Sequence, residues 1–236
     1  MRNYSKLIGA LAAVSALAAG NASAIDLSYN LHAGYTSEYI FRGQNLGADL
    51  IETGFDVSTE AAGLALSAGA WYGSFDTPGN GSADELDLYG KATKDFGFLE
   101  ASVGYIWYHN FDRAGVDDAQ EVTFGIAKDL GFLTASLTYF WDIETDNDGY
   151  AQLDLSKSWE LNSCLDLNVG TALGYYAEHG QLAHVTTKVS LDYEFVENAK
   201  LTPFAAYTWS LSDDVDTLNA GLENEFVGGA MISVSF

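Results

Sequence analysis

From residue 25 onward, apolar and polar positions alternate with a period of two, segment after segment. Leu64, Leu66, Ala68, Ala70 and Tyr72 share one parity, as do Leu99, Ala101, Val103, Tyr105 and Trp107. Leu133, Ala135, Leu137, Tyr139 and Trp141 repeat the pattern. A strand turns successive side chains to opposite faces, so each of these segments reads as a strand with one apolar face. Twelve strands are predicted, near 26–42, 49–60, 64–72, 84–94, 99–107, 120–128, 133–141, 150–158, 165–175, 184–195, 201–209 and 222–236. The opposite parity is small or polar, as in Glu85, Asp87, Tyr89, Lys91 and Thr93.

Such strands fit either a soluble sandwich with the apolar face inward or a barrel with that face in lipid. Three features favour the barrel. Connections alternate in length: "KDFGF", "KDLGF" and "ENAK" are short, whereas "FDTPGNGSA", "NFDRAGVDD" and "DIETDNDG" are long and acidic, as expected of outer-membrane barrels. Aromatic residues collect at both ends of the apolar face. Tyr72, Trp107, Trp141, Tyr175 and Trp209 lie toward the long connections, and Phe98, Phe132, Trp159 and Phe195 toward the short turns. Such rings prefer a membrane–water boundary. Lys94, Lys128 and Lys157 fall at the short-turn end, where their stems can reach water from the lipid edge. The fold predicted is all-β: a transmembrane antiparallel up-and-down β-barrel of about 12 strands, formed by residues 25–236. "KDFGFLEASVGYIWY" and "KDLGFLTASLTYFWD", 34 residues apart, read as repeated hairpins of this barrel.

The ends sharpen the picture. Residues 1–24 combine Arg2 and Lys6, an apolar core and Ala22-Ser23-Ala24, the form of a signal peptide cleaved after Ala24. Export to an outer membrane is therefore expected. The chain ends with Ala230, Ile232, Val234 and Phe236 in alternation. This resembles the C-terminal strand signature of bacterial outer-membrane proteins, which implies the barrel-assembly machinery as a partner through Phe236. Loss of residues 1–24 leaves eight basic against 33 acidic residues, a formal charge of −25. Nucleic acid is not an expected partner, because phosphate contacts require Lys and Arg. Outer-membrane lipid and lipopolysaccharide are, with weak divalent-cation binding by the acidic loops as a bridge. Cys164 is the one cysteine, so no intramolecular disulfide forms.

Within this acidic chain, Arg42 stands in an aromatic run, "GYTSEYIFRGQNLG" from Gly34 to Gly47. Strict alternation places Tyr35, Tyr39 and Phe41 toward lipid. Arg42 then falls at the external mouth of the lumen, within reach of inward carboxylates, with Glu52 and Asp56 on the same inward parity. Tyr35, Ser37, Glu38, Tyr39, Phe41, Arg42 and Gly43 match Y-x-S-[DE]-Y-x-F-R-G. This resembles the signature near the mature N-terminus of the Gcw_chp family of bacterial outer-membrane proteins of uncharacterised function. The resemblance implies a membrane barrel and no particular substrate. Here "QNLG" follows the motif, where the family pattern usually continues with a serine-containing segment.

Candidate pore-lining residues on the inward parity are Glu38, Arg42, Glu52, Asp56, Asp87, Lys91, Asp154, Lys188 and Asp192, with Glu85, Glu121, Asp166 and Glu194 beside them. Carboxylates outnumber basic groups, so an open lumen favours cations. The expected function is a narrow, porin-like passive diffusion channel with cation preference for small solutes. The alternative is a non-conducting structural or partner-binding barrel with acidic external loops. It predicts paired charges, with aromatics such as Tyr108, Phe140, Tyr176 and Phe204 closing the lumen. No enzyme, cofactor or metal centre is expected. His32, His109, His179 and His184 lie near no G-x-S-x-G. Aligning Gly149 as the turn glycine of an EF-hand loop would put Leu155 where a bidentate Glu belongs. Mass spectrometry of the membrane-extracted protein is expected to give a chain beginning at Ile25; a chain retaining residues 1–24 would overturn the export reading.

Overall fold

The computed structural model describes residues 26–78, 81–111, 116–144, 149–211 and 224–236. The expected signal peptide and its cleavage site lie outside the described residues, as do parts of the long acidic connections. Twelve strands are described: β1 (Ser28–Phe41), β2 (Gln44–Ala61), β3 (Leu64–Thr77), β4 (Gly81–Asp95), β5 (Glu100–Phe111) and β6 (Ala119–Asp129), followed by β7 (Thr134–Asp142), β8 (Gly149–Asn162), β9 (Leu165–Tyr176), β10 (Gln181–Val196), β11 (Ala199–Ser210) and β12 (Glu225–Ser235). Each pairs antiparallel with its chain neighbours, and β1 pairs with β12. The sheet is thus a closed barrel, which leaves no unpaired edge to be desolvated in lipid.

The alternation predicted for the wall is present. Leu31, Ile126, Leu137, Val189 and Ile232 are exposed on the outer face, where a bilayer would cover them. Tyr72, Trp141, Tyr175 and Trp209 ring one end of that face, and Phe98, Phe132, Trp159 and Phe195 the other. The termini and the short turns share one end, called here the turn end; the long connections share the other, the loop end. The two "KD-x-G-F" turns are built alike. Asp95 Oδ1 accepts the Gly97 N–H at 2.6 Å, and Asp129 Oδ1 accepts that of Gly131 at 2.7 Å. Asp thus replaces a backbone acceptor while the glycine takes up the left-handed turn.

One strand departs from expectation. β2 begins at Gln44, so "QNLG" is strand rather than loop, and the β1–β2 connection is only Arg42-Gly43. Their φ values are 53° and 84°. A two-residue type I′ turn requires positive φ at both central positions, which matches the right-handed twist of the flanking strands. The long-connection rule for the loop end therefore fails at this hairpin, and "FDTPGNGSA" too is mostly paired strand, which leaves a β3–β4 connection of residues 78–80 alone.

The inner face differs along the barrel axis. Toward the turn end it carries small and polar residues such as Ser67, Gly69, Ser102, Gly104, Ser136 and Gly170, and Lys91, Ser156 and Ser158 remain exposed there. Toward the loop end lie Leu50, Phe75, Glu85, Glu121, Tyr150 and Thr208, all buried. Leu137→Arg, on the outer face, is expected to cost about 2–4 kcal/mol in urea unfolding from lipid vesicles. Ser136→Arg, one residue away on the vestibule side, should cost far less; equal losses would reverse the assigned faces.

Candidate functional site

The wall loosens where the Arg42 segment begins. β1 pairs with β12 only from Asn30 to Thr36. Beyond that, the Gly228 N–H, on β12, finds a side-chain acceptor instead, Ser37 Oγ at 3.1 Å. The β1–β2 register shifts between Tyr39 and Ile40, and the β2–β3 register between Ala48 and Ile51. Asp49, at the second shift, has φ 53°. Tyr35, on the outer face, fixes it by donating its O–H to Asp49 Oδ1 at 2.5 Å. Bulges bend strands and re-aim side chains. Beyond Thr36 on β1 and before the second irregularity on β2, the hairpin 37–48 folds into the lumen, with the first irregularity inside it.

Its contacts cross the barrel. On the near side, Tyr39 packs against Trp71 and Phe75 of β3 at 5.7 and 4.9 Å, and donates its O–H to Glu85 Oε1 of β4 at 3.1 Å. Phe41 meets the Tyr108 ring of β5 at 5.9 Å. On the far wall, Arg42 makes two parallel bonds of 2.7 Å to the two carboxylate oxygens of Glu121 on β6. Its guanidinium carbon lies 4.7 Å from the ring centroids of Phe41 and of Phe140 on β7, and 4.6 Å from that of Tyr150 on β8. Tyr176 on β9 accepts from Gln44 Nε2 at 2.8 Å and donates to the Arg42 carbonyl at 3.2 Å. Asn45 Nδ2 donates to Glu38 and to Glu225 on β12, both at 3.1 Å. Gly43 abuts His184 on β10, where a Cβ would stand 2.8 Å from three atoms of that side chain. Gly47 is similarly confined: a Cβ there would collide with the Asp76 carbonyl and come within 2.7 Å of the Phe75 ring.

Charge-assisted, bidentate bonds are among the strong ones, and an arginine fork matches a carboxylate geometrically. The two side chains are 15% and 7% exposed, so both charges are largely desolvated. Forming such a pair is nearly neutral against an apolar replacement, but breaking it by removing one partner costs about 3–5 kcal/mol. Cation–π contact with the rings adds about 2 kcal/mol when desolvated. These gains offset the about 1–2 kcal/mol that a non-glycine residue loses at left-handed φ.

The alternation-based placement of Tyr39 and Phe41 toward lipid is corrected. Tyr39 is 9% exposed and turned inward, because β1 leaves β12 after Thr36 and the hairpin bends into the lumen. Arg42 is not held beside β2 at the mouth. Its partner, Glu121, stands across the lumen, 79 positions on. Glu52 accepts the Trp71 indole N–H at 2.7 Å, and Asp56 the Tyr89 O–H at 2.6 Å with His32 3.7 Å away. Asp87 faces inward on β4, and its Oδ1 is buried without a hydrogen-bond partner among the described residues. Toward the turn end, Asp154 accepts from Gln152 and Asp192 from Thr202, each at 2.9 Å. Lys188 lies 4.1 Å over the Phe204 ring, and Lys91 points into the vestibule. Tyr108, Phe140 and Tyr176 do converge on the hairpin. Tyr150 and His184 escaped sequence reasoning. Their inward parity was readable, but nothing local marks them as partners of residues 42–43.

The model of a family described as a bacterial protein of unknown function (Gcw_chp) matches residues 18–220. The chain belongs to the Gcw_chp family. The signature residues of this Gcw_chp chain thereby acquire structural tasks, since Tyr35, Ser37, Glu38, Tyr39, Phe41, Arg42 and Gly43 are the residues that build and seat the hairpin. No curated protein matches the sequence. Among solved structures, the KdgM porin is similar with a TM-score of 0.52 at 9% identity, covering 89% of this chain and 99% of that one. The NanC porin gives 0.54 at 13% identity, over 87% and 98%. An outer membrane channel from Pseudomonas putida F1 gives 0.54 at 11%, over 92% and 97%. At these identities the likeness is one of barrel fold. One of the KdgM structures is of a complex with disordered oligogalacturonate.

Glu121→Gln and Arg42→Met are each expected to lose about 3–5 kcal/mol in urea unfolding. The double replacement should lose clearly less than the sum of the two, the sign of direct coupling. Simple additivity would mean that the two side chains do not act as a pair.

Proposed function

We propose that this protein is an outer-membrane channel for small cations whose resting state is closed by its own β1–β2 hairpin. The observation that carries this reading is that one continuous segment reaches across the lumen. The hairpin 37–48 reaches β3 through β10 and β12, while the inner face toward the turn end keeps small residues and exposed polar groups. A lumen filled by wall side chains alone would have no element to displace. A hairpin that has left β12 after Thr36, and whose pairing with β3 is interrupted between Ala48 and Ile51, can move without unpairing the rest of the wall.

Cation preference follows from the lining. Glu38, Glu52, Glu85, Asp87, Glu121 and Glu225 gather around the hairpin against the single Arg42. In the vestibule, Asp56, Asp154 and Asp192 face Lys91 and Lys188. Such a surface concentrates cations and repels polyanions of the oligogalacturonate kind. His32 faces Asp56, His109 pairs with Asp118 at 2.9 Å, and His184 bonds Tyr150 and Thr186. The acidic loops would meet lipopolysaccharide through weakly held divalent cations. Phe236, stacked on Tyr29 at 5.6 Å beside the β1–β12 seam, would carry the assembly signal.

The second reading, a barrel that never conducts, draws on the same cross-lumen packing. Planar-bilayer recording in a KCl gradient separates the two. The refolded mature protein should show rare, small steps. Arg42→Ala should conduct more often, with a reversal potential on the cation side that weakens in Arg42→Ala/Asp87→Asn. Folded, heat-modifiable protein that stays silent in both Arg42→Ala and wild type would leave the non-conducting barrel.

A further inference from the structure

Arg42 is the hairpin's own residue, but what surrounds it belongs mostly to the wall, and the wall groups hold each other in place without it. Tyr108 donates its O–H to Glu121 Oε2 at 2.9 Å, which orients the carboxylate. The Tyr150 hydroxyl bonds Gln152 Oε1 at 3.0 Å and His184 Nε2 at 2.9 Å, and Tyr150 is 2% exposed. Phe140 packs against Tyr150 at 5.9 Å between centroids. None of these contacts passes through the hairpin. Removal of Arg42 would therefore leave a preformed recess with a carboxylate at its base and aromatic faces at its sides.

We propose that the far wall of the barrel carries a binding site for a planar guanidinium cation, built by Glu121, Phe140 and Tyr150, that Arg42 fills as a tethered ligand. Small guanidinium-bearing solutes compete for this site and release the hairpin. The shape sets the chemical class. Both carboxylate oxygens are used at 2.7 Å by two nitrogens of one flat group, and two wall rings lie within 4.7 Å of its carbon. An ammonium is a compact point charge and cannot donate two parallel bonds while stacking on a ring. Glu121, buried and stripped of Arg42, would be an unpaired charge in a water-poor site, which makes a replacement cation strongly favoured. The claim about release rests on the channel reading above; the claim about binding does not.

The test uses the refolded mature chain in detergent, with methylguanidinium chloride as probe and methylammonium chloride at equal ionic strength as control. Thermal unfolding is followed by the heat-modifiable gel shift. Arg42→Ala is expected to be stabilised saturably by methylguanidinium, with a half-saturation concentration about tenfold below that for methylammonium. Wild type, whose site is filled by a tethered competitor, should respond only at far higher methylguanidinium concentration, and Arg42→Ala/Glu121→Gln should show no saturable response. Equal responses to the two cations, or a response that survives Glu121→Gln, would overturn the site. Should Arg42→Ala refold poorly, its refolding yield becomes the readout: rescue by methylguanidinium and not by methylammonium supports the site, and no rescue removes it. Bilayer recording separates the two claims. Selective binding without conduction by Arg42→Ala keeps the site and removes the channel; conduction without selective binding does the reverse.

Discussion

A guanidinium that leaves water must recover its lost hydration from a complete set of partners, and Arg42 does so only on the far side of the lumen. The two bonds to Glu121 therefore set the position of the turn that carries Arg42, and the turn sets the rest. To bring the side chain across, the hairpin must shed β12 after Thr36 and bend at two bulges. To pass beside His184 it must carry no Cβ at position 43. The left-handed φ of Arg42 itself is a local loss accepted for a larger non-local gain. Each irregularity of the first hairpin thus traces to one desolvated charge.

The same constraint divides the barrel into two chemical environments. Around the hairpin, charges and hydroxyls are paired inside a packed aromatic setting, where low polarity strengthens each bond and raises the cost of leaving one unmade. Toward the turn end many inner residues are small, and the charges there make single contacts, as Asp154 with Gln152, Asp192 with Thr202 and Lys188 with the Phe204 ring. Twelve strands enclose more cross-section than wall side chains fill alone. The hairpin supplies the missing volume at one level and leaves the other level open.

The wall was legible in the sequence because its cause is local and periodic. A lipid-facing residue at every second position, a ring of aromatics at each end and an Asp two residues before a turn glycine are all visible within a few residues of one another. Barrel closure and strand number followed from that repetition. The site was only half legible. Its residues Tyr35 to Gly43 stood out as a motif, and Tyr108, Phe140 and Tyr176 as aromatics able to close a lumen. What could not be read was that β1 leaves the wall after Thr36, so that parity fails before Tyr39, since such a bend leaves no period of its own. Nor could Arg42 be matched to Glu121 among many inward carboxylates, because barrel curvature alone makes them neighbours.

The two-residue connection at Arg42-Gly43 has a consequence for how the molecule meets its surroundings. Every other chain reversal at the loop end is longer. This one is drawn beneath the rim, with Gly43 buried and the Arg42 side chain 15% exposed. In the orientation proposed above, a macromolecule approaching the loop end would meet almost nothing of Arg42 and Gly43. In that orientation the turn is reached through the lumen rather than from the rim, so that only solutes small enough to enter the barrel would meet it.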